Sequence, residues 1–301
     1  MSIPKGTLEA WSNQGATATP KALREKIEKK LTGEKSKIQR KNQLEIYLQG
    51  SYRNNTNIYG NSDVDIVVQC DSTFFSDLSE LNTHEVSLYK SAFSDATYTW
   101  SDYKREIIET LEDAFGKESV EIGNKSIKID DGSYEADVVP CFEYRKYTSF
   151  GELGSQREYI PGIRFFTTNE NRSVVNYPKE HYSKGAKKNQ RVEKRFKPTV
   201  RIFKNMKRKL IEKDMINKEE VPSYFLENLL YNVPDELFDN SETNNRVYNI
   251  LKWLGDNRYS LSEFICQNEQ IHLFGSSQEQ WNEADAQKFI NQIIILWNEW
   301  S

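Results

Sequence analysis

The sequence predicts an α+β protein of two lobes, a mixed β-sheet lobe followed by a mainly helical one. Three observations predict it. Strand-like runs separated by turn formers fill the first half of the chain, helical periodicity dominates from about residue 189 onward, and the character of the sequence changes after Tyr147. With 301 residues, the chain is long enough for one large bilobal body or two small domains. The expected division is 1–155 for the first lobe, which opens with a long helix, and 156–301 for the second.

The elements follow in order. "TPKALREKIEKKL" offers Thr19 as a helix cap and Pro20 at the first helical position, and Leu23, Ile27 and Leu31 form one apolar stripe, so a helix is predicted over 20–31. "LEIYLQ" (44–49) and "VDIVVQ" (64–69) have strand composition, and the residues between them are rich in turn formers. A helix is predicted over 102–115, with Ile107, Ile108, Leu111 and Phe115 on one side. "SVEIGNKSIKIDDGSYEADVVPCFEY" alternates apolar and polar residues around Asp-Asp-Gly-Ser, which predicts a hairpin and a strand over 134–139. "YIPGIRFFTTNENRSVVNYP" predicts another hairpin, turning at 169–171. Helices are then expected over 189–213, broken at Pro198, and over 224–231, 243–254 and 283–299.

Composition narrows the class. Hydrophobic residues make up 37% and charged residues 29%, with a mean hydropathy of -0.77, a polar profile that its six Trp, sixteen Tyr and fifteen Phe still equip with cores. The opening "MSIPKGTLEAWSNQG" lacks the apolar run of a signal peptide, and no stretch approaches the roughly 20 apolar residues of a membrane span, so a cytoplasmic protein with no membrane partner is expected. Cys70, Cys141 and Cys266 are widely spaced and read as reduced, buried thiols. Together with the isolated His84, His181 and His272, they exclude a zinc finger or ribbon.

The densest chemistry lies in "QGSYRNNTNIYGNSDVDIVVQ", residues 49–69. Aspartate is a poor strand former, yet Asp63 and Asp65 stand two apart, the spacing that puts both on one face of a strand with Val64 and Ile66 on the other. Two such carboxylates repel unless a cation lies between them, and their hard oxygens suit Mg²⁺ or Mn²⁺. Asp137 in "YEADVVP" adds a third carboxylate from a second strand. Such a set can hold two ions about 3.5–4 Å apart, one activating a hydroxyl and one neutralising a leaving pyrophosphate. Gly50 and Ser51 precede a short helix whose first N–H groups would grip a terminal phosphate.

This ordered set resembles the nucleotidyltransferase superfamily built on the DNA polymerase β-like fold. "GSY" with Thr56 and Ile58, "SDVDIVV" and "ADVVP" look most like the bacterial CD-NTases, relatives of cyclic GMP–AMP synthase and oligoadenylate synthase. "YIPGIRF", "VVNYPKEH", "KKN", "RFKPTVRIFKNMK" and "VPSYFLENLLYNVP" are similar to that group's C-terminal lobe, so the resemblance covers most of residues 40 to 235.

The resemblance implies a bilobal nucleotidyltransferase fold with Asp63, Asp65 and Asp137 as catalytic metal ligands, and Gly50 and Ser51 as the phosphate turn. It also implies Lys204 on the triphosphate, Ser223 on the γ-phosphate and Tyr224 stacked on the base. The implied activity joins nucleoside triphosphates, ATP and GTP first among them, into a cyclic oligonucleotide, a dinucleotide before larger rings, that activates an effector protein in anti-phage defence. No His-Cys-Cys-Cys insertion is present, so activation by double-stranded DNA through such an element is not implied. The alternative within the fold is transfer of a nucleotide to an RNA, protein or small-molecule acceptor.

Net charge is -4, but residues 184–209 hold twelve Lys or Arg and one acid, Glu193, which leaves about -15 on the rest. The band either neutralises triphosphates in a cleft or binds a structured RNA activator, with Lys184, Lys187, Lys188, Arg191, Lys194 and Arg195 as the RNA candidates.

Overall fold

The structure, a computed structural model, describes residues 2–16, 18–60, 63–130, 132 and 135–300. Along the chain run α1 (Lys5–Trp11), α2 (Ala18–Thr32), β1 (Leu44–Leu48), α3 (Gly50–Asn54), β2 (Val64–Asp77), α4 (Thr83–Ala92) and α5 (Trp100–Phe115). Next come β3 (Val120–Ile122), β4 (Ile127–Asp130), β5 (Glu135–Ser149), β6 (Glu158–Phe166) and β7 (Ser173–Asn176). Helices then take over: α6 (Pro178–Arg191), α7 (Phe196–Glu212), α8 (Ser223–Tyr231), α9 (Thr243–Asn257) and α10 (Glu283–Asn298). The α+β class stands. No helix among the described residues is long and apolar enough to cross a membrane.

Two compact units form, and neither is a continuous half of the chain. The sheet unit takes Thr17–Gln49 and Asp63–Lys179, and the helical unit takes Met1–Ala16, Gly50–Ser62 and Glu180–Ser301. This differs from a single boundary at 155/156. The β6–β7 hairpin is hydrogen-bonded into the sheet through β5, and the segment carrying α3 belongs with the helices.

In the sheet unit the strand order is β1-β2-β5-β4-β3, with β6 paired to β5 and β7 to β6. β2 and β5 run parallel and the other pairs antiparallel, which makes the sheet mixed. β5 extends ten residues past the predicted end at Val139. Pro140 is tolerated because pairing with β4 has ended at Val138 and pairing with β6 begins only at Phe142, so its missing N–H breaks no ladder bond on that edge. β2 likewise runs to Asp77, through a register shift between Cys70 and Phe74.

α5 buries Tyr103, Glu106, Ile107, Thr110 and Leu111, the one-sided pattern of an amphipathic helix. Tyr103 stacks on Phe142 of β5 at 5.1 Å between ring centroids and donates its hydroxyl to the Val68 carbonyl at 2.8 Å. This pins α5 to one face of the sheet. Val67, Val139, Cys141, Ile163 and Phe165 form a separate cluster, and their register places them on the opposite face.

In the helical unit, Val200, Phe203, Met206 and Leu210 of α7 pack into a core with Leu226, Leu229 and Leu230 of α8 and the inner faces of α9 and α10. Each fully buried side chain of this kind contributes roughly 1.5–3 kcal/mol. The helix expected over 189–213 is two helices, and the break is not at Pro198. Pro198 is the third residue of α7, where a missing N–H costs no intrahelical bond. The chain turns instead at Glu193 and Lys194, which both have positive φ.

α2 begins at Ala18, two residues before Pro20. The side chain of Thr19, expected as its cap, and the residues Asp131, Ser133 and Tyr134 of the expected hairpin lie outside the described residues. All three cysteines are buried free thiols, as their spacing suggested.

Candidate active site

Asp65 is the second residue of β2, and Asp137 the third of β5. The parallel register pairs Asp65 with Asp137, between Val64–Ala136 and Ile66–Val138. Residues paired in register point to the same face, so the two half-buried carboxylates stand side by side while their buried apolar neighbours face the other way. This is the face of Val67 and Val139, opposite α5. Ser126 donates to Asp137 Oδ1 at 2.9 Å, and Gln49 N–H donates to the Asp65 carbonyl at 2.9 Å, fixing the strand end that carries the pair.

Asp63 differs from expectation. It lies one residue before the strand and is exposed, so alternation along β2 does not place it. No group of three or more Asp, Glu, His or Cys side chains is gathered for a metal among the described residues. The pair that is gathered has the right donors for a hard divalent cation, carboxylate oxygens on adjacent strands.

The helical unit holds the remaining candidates. Gly50 has φ +62°, a left-handed conformation that costs an L-residue with a side chain about 1–2 kcal/mol. From it the chain enters α3, and Thr56 N–H closes back onto the Ser51 carbonyl at 2.9 Å.

Behind this segment lies a buried carboxylate. Glu227 of α8 accepts from Asn54 Nδ2 at 3.0 Å, Thr56 Oγ1 at 2.9 Å and Lys204 Nζ at 3.3 Å, with His181 Nε2 3.5 Å away. Burial alone would raise its pKa. The Lys204 ammonium, His181 and the Thr56 hydroxyl outweigh that and hold it down at about 2. Lys204, expected to reach a triphosphate, is therefore engaged inside the unit.

Lys207, one helical turn further along α7, is placed differently. It is buried, its ammonium donates to Ser223 Oγ at 3.5 Å, and no carboxylate among the described residues lies in salt-bridge range. Desolvation, reinforced by the nearby Lys204 and Lys218 charges, pushes it down to about 8. Ser223 is exposed as the first residue of α8, with Pro222 rather than Ser223 at the cap position. Its neighbour Tyr224 is half-buried, and one ring face is covered by His181, at 5.3 Å between centroids and 25° between planes.

Residues 27–151 match the family of nucleotidyltransferase domains, and residues 183–298 match the C-terminal helical domain of cGAS/DncV-like nucleotidyltransferases. The chain is 60% identical to the cyclic nucleotide synthase CdnE01 of Staphylococcus haemolyticus, over all of both chains. It is 42% identical to the cyclic UMP-AMP synthase of Rhodothermus marinus, over 100% of this chain and 99% of that one. A solved structure of the Rhodothermus marinus CdnE c-UMP-AMP synthase with Apcpp and Upnpp superposes with a TM-score of 0.86 and 41% identity, covering 99% of this chain and 98% of that one. The chain belongs to the cGAS/DncV-like nucleotidyltransferases, the CD-NTases.

Within this nucleotidyltransferase, sequence reasoning missed four residues. Ser126 carried no signal. Lys207 stood three positions from the lysine chosen, in the same "FKNMKRK" run. Glu227 was visible as a lone acid inside the apolar "YFLENLLY", and His181 was set aside as an isolated histidine.

Of the six RNA candidates in the basic band, Lys188 needs correction. Lys188 is buried, bonded to Asp235 at 2.6 Å and the Val233 carbonyl at 2.8 Å. Lys184 pairs with Glu269, Arg195 with Glu193, and Arg191 with Asp235, though Arg191 stays exposed. Lys187 and Lys194 are exposed as well, and they complete the cations that this enzyme presents outward near the end of α6.

Proposed function

We propose that this enzyme joins two nucleoside triphosphates into a cyclic dinucleotide, with ATP and UTP as the pair to test before ATP and GTP. The observation that carries nucleotidyl transfer is the side-by-side register of Asp65 and Asp137. Cyclisation, and the choice of UTP, rest on the whole-length likeness to synthases described above.

In each of two steps a ribose hydroxyl of one nucleotide attacks the α-phosphorus of another. An O–P bond forms, the bond to pyrophosphate breaks, and the hydroxyl proton leaves. Asp63, Asp65 and Asp137 would hold a divalent cation, which lowers the pKa of the hydroxyl and offsets charge on the leaving group. Asp137, oriented by the Ser126 hydroxyl on its Oδ1, is the candidate to help take the departing proton. Gly50 and Ser51 turn backbone N–H groups toward the polyphosphate, and Lys207 with Ser223 supplies a cation and a hydroxyl to it. Tyr224 stacks on a base.

The product acts as a messenger to an effector protein in anti-phage defence. A structured RNA activates the enzyme through Lys187, Arg191 and Lys194, whose exposure supports that reading.

The test incubates the protein with four α-labelled nucleoside triphosphates and Mg²⁺ or Mn²⁺, with and without structured RNA, followed by phosphatase. A resistant product that disappears when ATP or UTP is omitted supports the proposal. Label transferred to an added acceptor, with no resistant product, replaces it with the acceptor transferase. Charge reversal at Lys187, Arg191 and Lys194 should abolish RNA stimulation while leaving basal turnover, and unchanged stimulation would remove RNA from the account.

A further inference from the structure

His181 on α6 is 5% exposed, with its ring held by two partners and its backbone by a third. Its Nε2 edge faces Glu227 Oε1 at 3.5 Å, its face lies against Tyr224, and its backbone carbonyl accepts from Gln267 Nε2 at 2.7 Å. The last contact needs Gly185, since a Cβ there would stand 2.2 Å from Gln267 Nε2. His181 Nδ1 is buried and finds no hydrogen-bond partner among the described residues.

That orphaned nitrogen argues against a filler role. A leucine or phenylalanine would fill the same space without burying an unsatisfied polar atom. A histidine at this place combines a flat ring for Tyr224 with a polar edge for Glu227. Both partners sit on α8, three residues apart, so one imidazole fixes the ring and the carboxylate of a single helical turn. Glu227 in turn accepts from Asn54 and Thr56, in the segment that follows Gly50 and Ser51.

We propose that His181 is a positioning residue for the nucleobase: it backs the Tyr224 ring and holds its attitude for a stacked base. This rests on the reading of Tyr224 as the base-stacking residue. His181 touches no reacting atom, so its removal should appear in nucleotide KM and leave kcat within about twofold.

The test is a cycle of His181→Leu, Tyr224→Ala and the double variant, with KM and kcat for each nucleotide and thermal unfolding of each protein. Leucine keeps the packed volume and removes the flat ring, which separates positioning from filling. His181→Leu should raise KM roughly five- to tenfold, the worth of one aromatic stack, and it should add little in the Tyr224→Ala background. His181→Phe restores a ring and should bring KM back to within about threefold of wild type.

An unchanged KM in His181→Leu overturns the inference and leaves Tyr224 as the stacking residue. An equal rise in both backgrounds also overturns it, because the two residues would then act independently. An unchanged KM in Tyr224→Ala overturns the stacking reading itself, and this inference with it.

Discussion

Lys204 and Glu227 form an ion pair inside the helical unit, 3.3 Å from Nζ to Oε2, with both side chains buried. Such a pair is costly to break from one side, because the surviving charge is left in a low dielectric. Lys204→Met should therefore destabilise the protein by about 3 kcal/mol, and Lys204→Met with Glu227→Leu should recover much of the loss. Denaturant unfolding of the three variants checks this. A Lys204→Met protein as stable as wild type would show that the pair does not hold the fold.

The same carboxylate sets an acid limit. Glu227 sits at about 2 in the folded protein against an ordinary 4.5, so its contribution to stability is complete above about 4.5 and is lost as pH falls through about 2. Glu227→Gln should flatten the acid arm of the stability curve over that window. Unfolding free energies measured from pH 6 to pH 2 give the comparison.

Asp65→Asn and Asp137→Asn each remove one charge from a like-charged pair on neighbouring strands. Turnover should fall by at least about a hundredfold, because the amide is a poor ligand for a hard cation. Melting temperature should hold or rise, since the repulsion between the two carboxylates is relieved. Pyrophosphate release and a thermal melt on the same sample decide the matter, and retained turnover in either variant would remove that residue from the site.

Lys207 provides a pH signature. Its ammonium is held down at about 8, so the charge is present below that value and is lost as pH rises through it. Nucleoside triphosphate binding should weaken as pH climbs from 7 to 9.5, and binding above pH 8 should take up a proton. Between about 8 and the ordinary 10.5 the unfolded chain carries the proton and the folded one does not, so this residue makes stability rise with pH over that interval. Lys207→Arg stays charged and should remove the break in the binding curve, which isothermal titration in two buffers of different ionisation heat would reveal.

Gly50→Ala places a side chain at φ +62° and should cost about 1–2 kcal/mol in stability. Nucleotide affinity should fall as well, since the turn that presents the first N–H groups of α3 is disturbed. Equilibrium unfolding together with nucleotide titration tests both halves.

Much of this architecture was legible in the sequence because its signals are local. Leu44 to Leu48, the start of β2, the β6–β7 hairpin and α8 to α10 each announce themselves by periodicity or turn chemistry. What was hidden depends on pairing between distant segments. Pro140 reads as a strand terminator until the gap between β4 and β6 is known. α6 reads as a polar tract because its buried residues are His181, Gly185 and Lys188 rather than an apolar stripe.

The site shows the same limit. Alternation was expected to place Asp63 beside Asp65, but the strand begins one residue after Asp63. The register of Asp65 against Asp137 depends on the pairing of β2 with β5, which no local pattern shows. That Lys204 is paired inside the helical unit could be seen only by knowing where Glu227 lies, 23 positions downstream.

The threading of the chain governs how this protein can be cut. Arg201 reaches the carbonyls of Ser12 and Asn55, at 2.6 Å and 2.5 Å, and Lys204 reaches Thr56, so the helical unit depends on two pieces that precede most of the sheet in sequence. A fragment starting at residue 156 would leave those donors facing solvent. Split reporters and two-plasmid complementation designed at the midpoint should yield insoluble halves. A circular permutant opened in the exposed turn between β6 and β7 keeps every segment covalently attached and should stay soluble where the split halves do not.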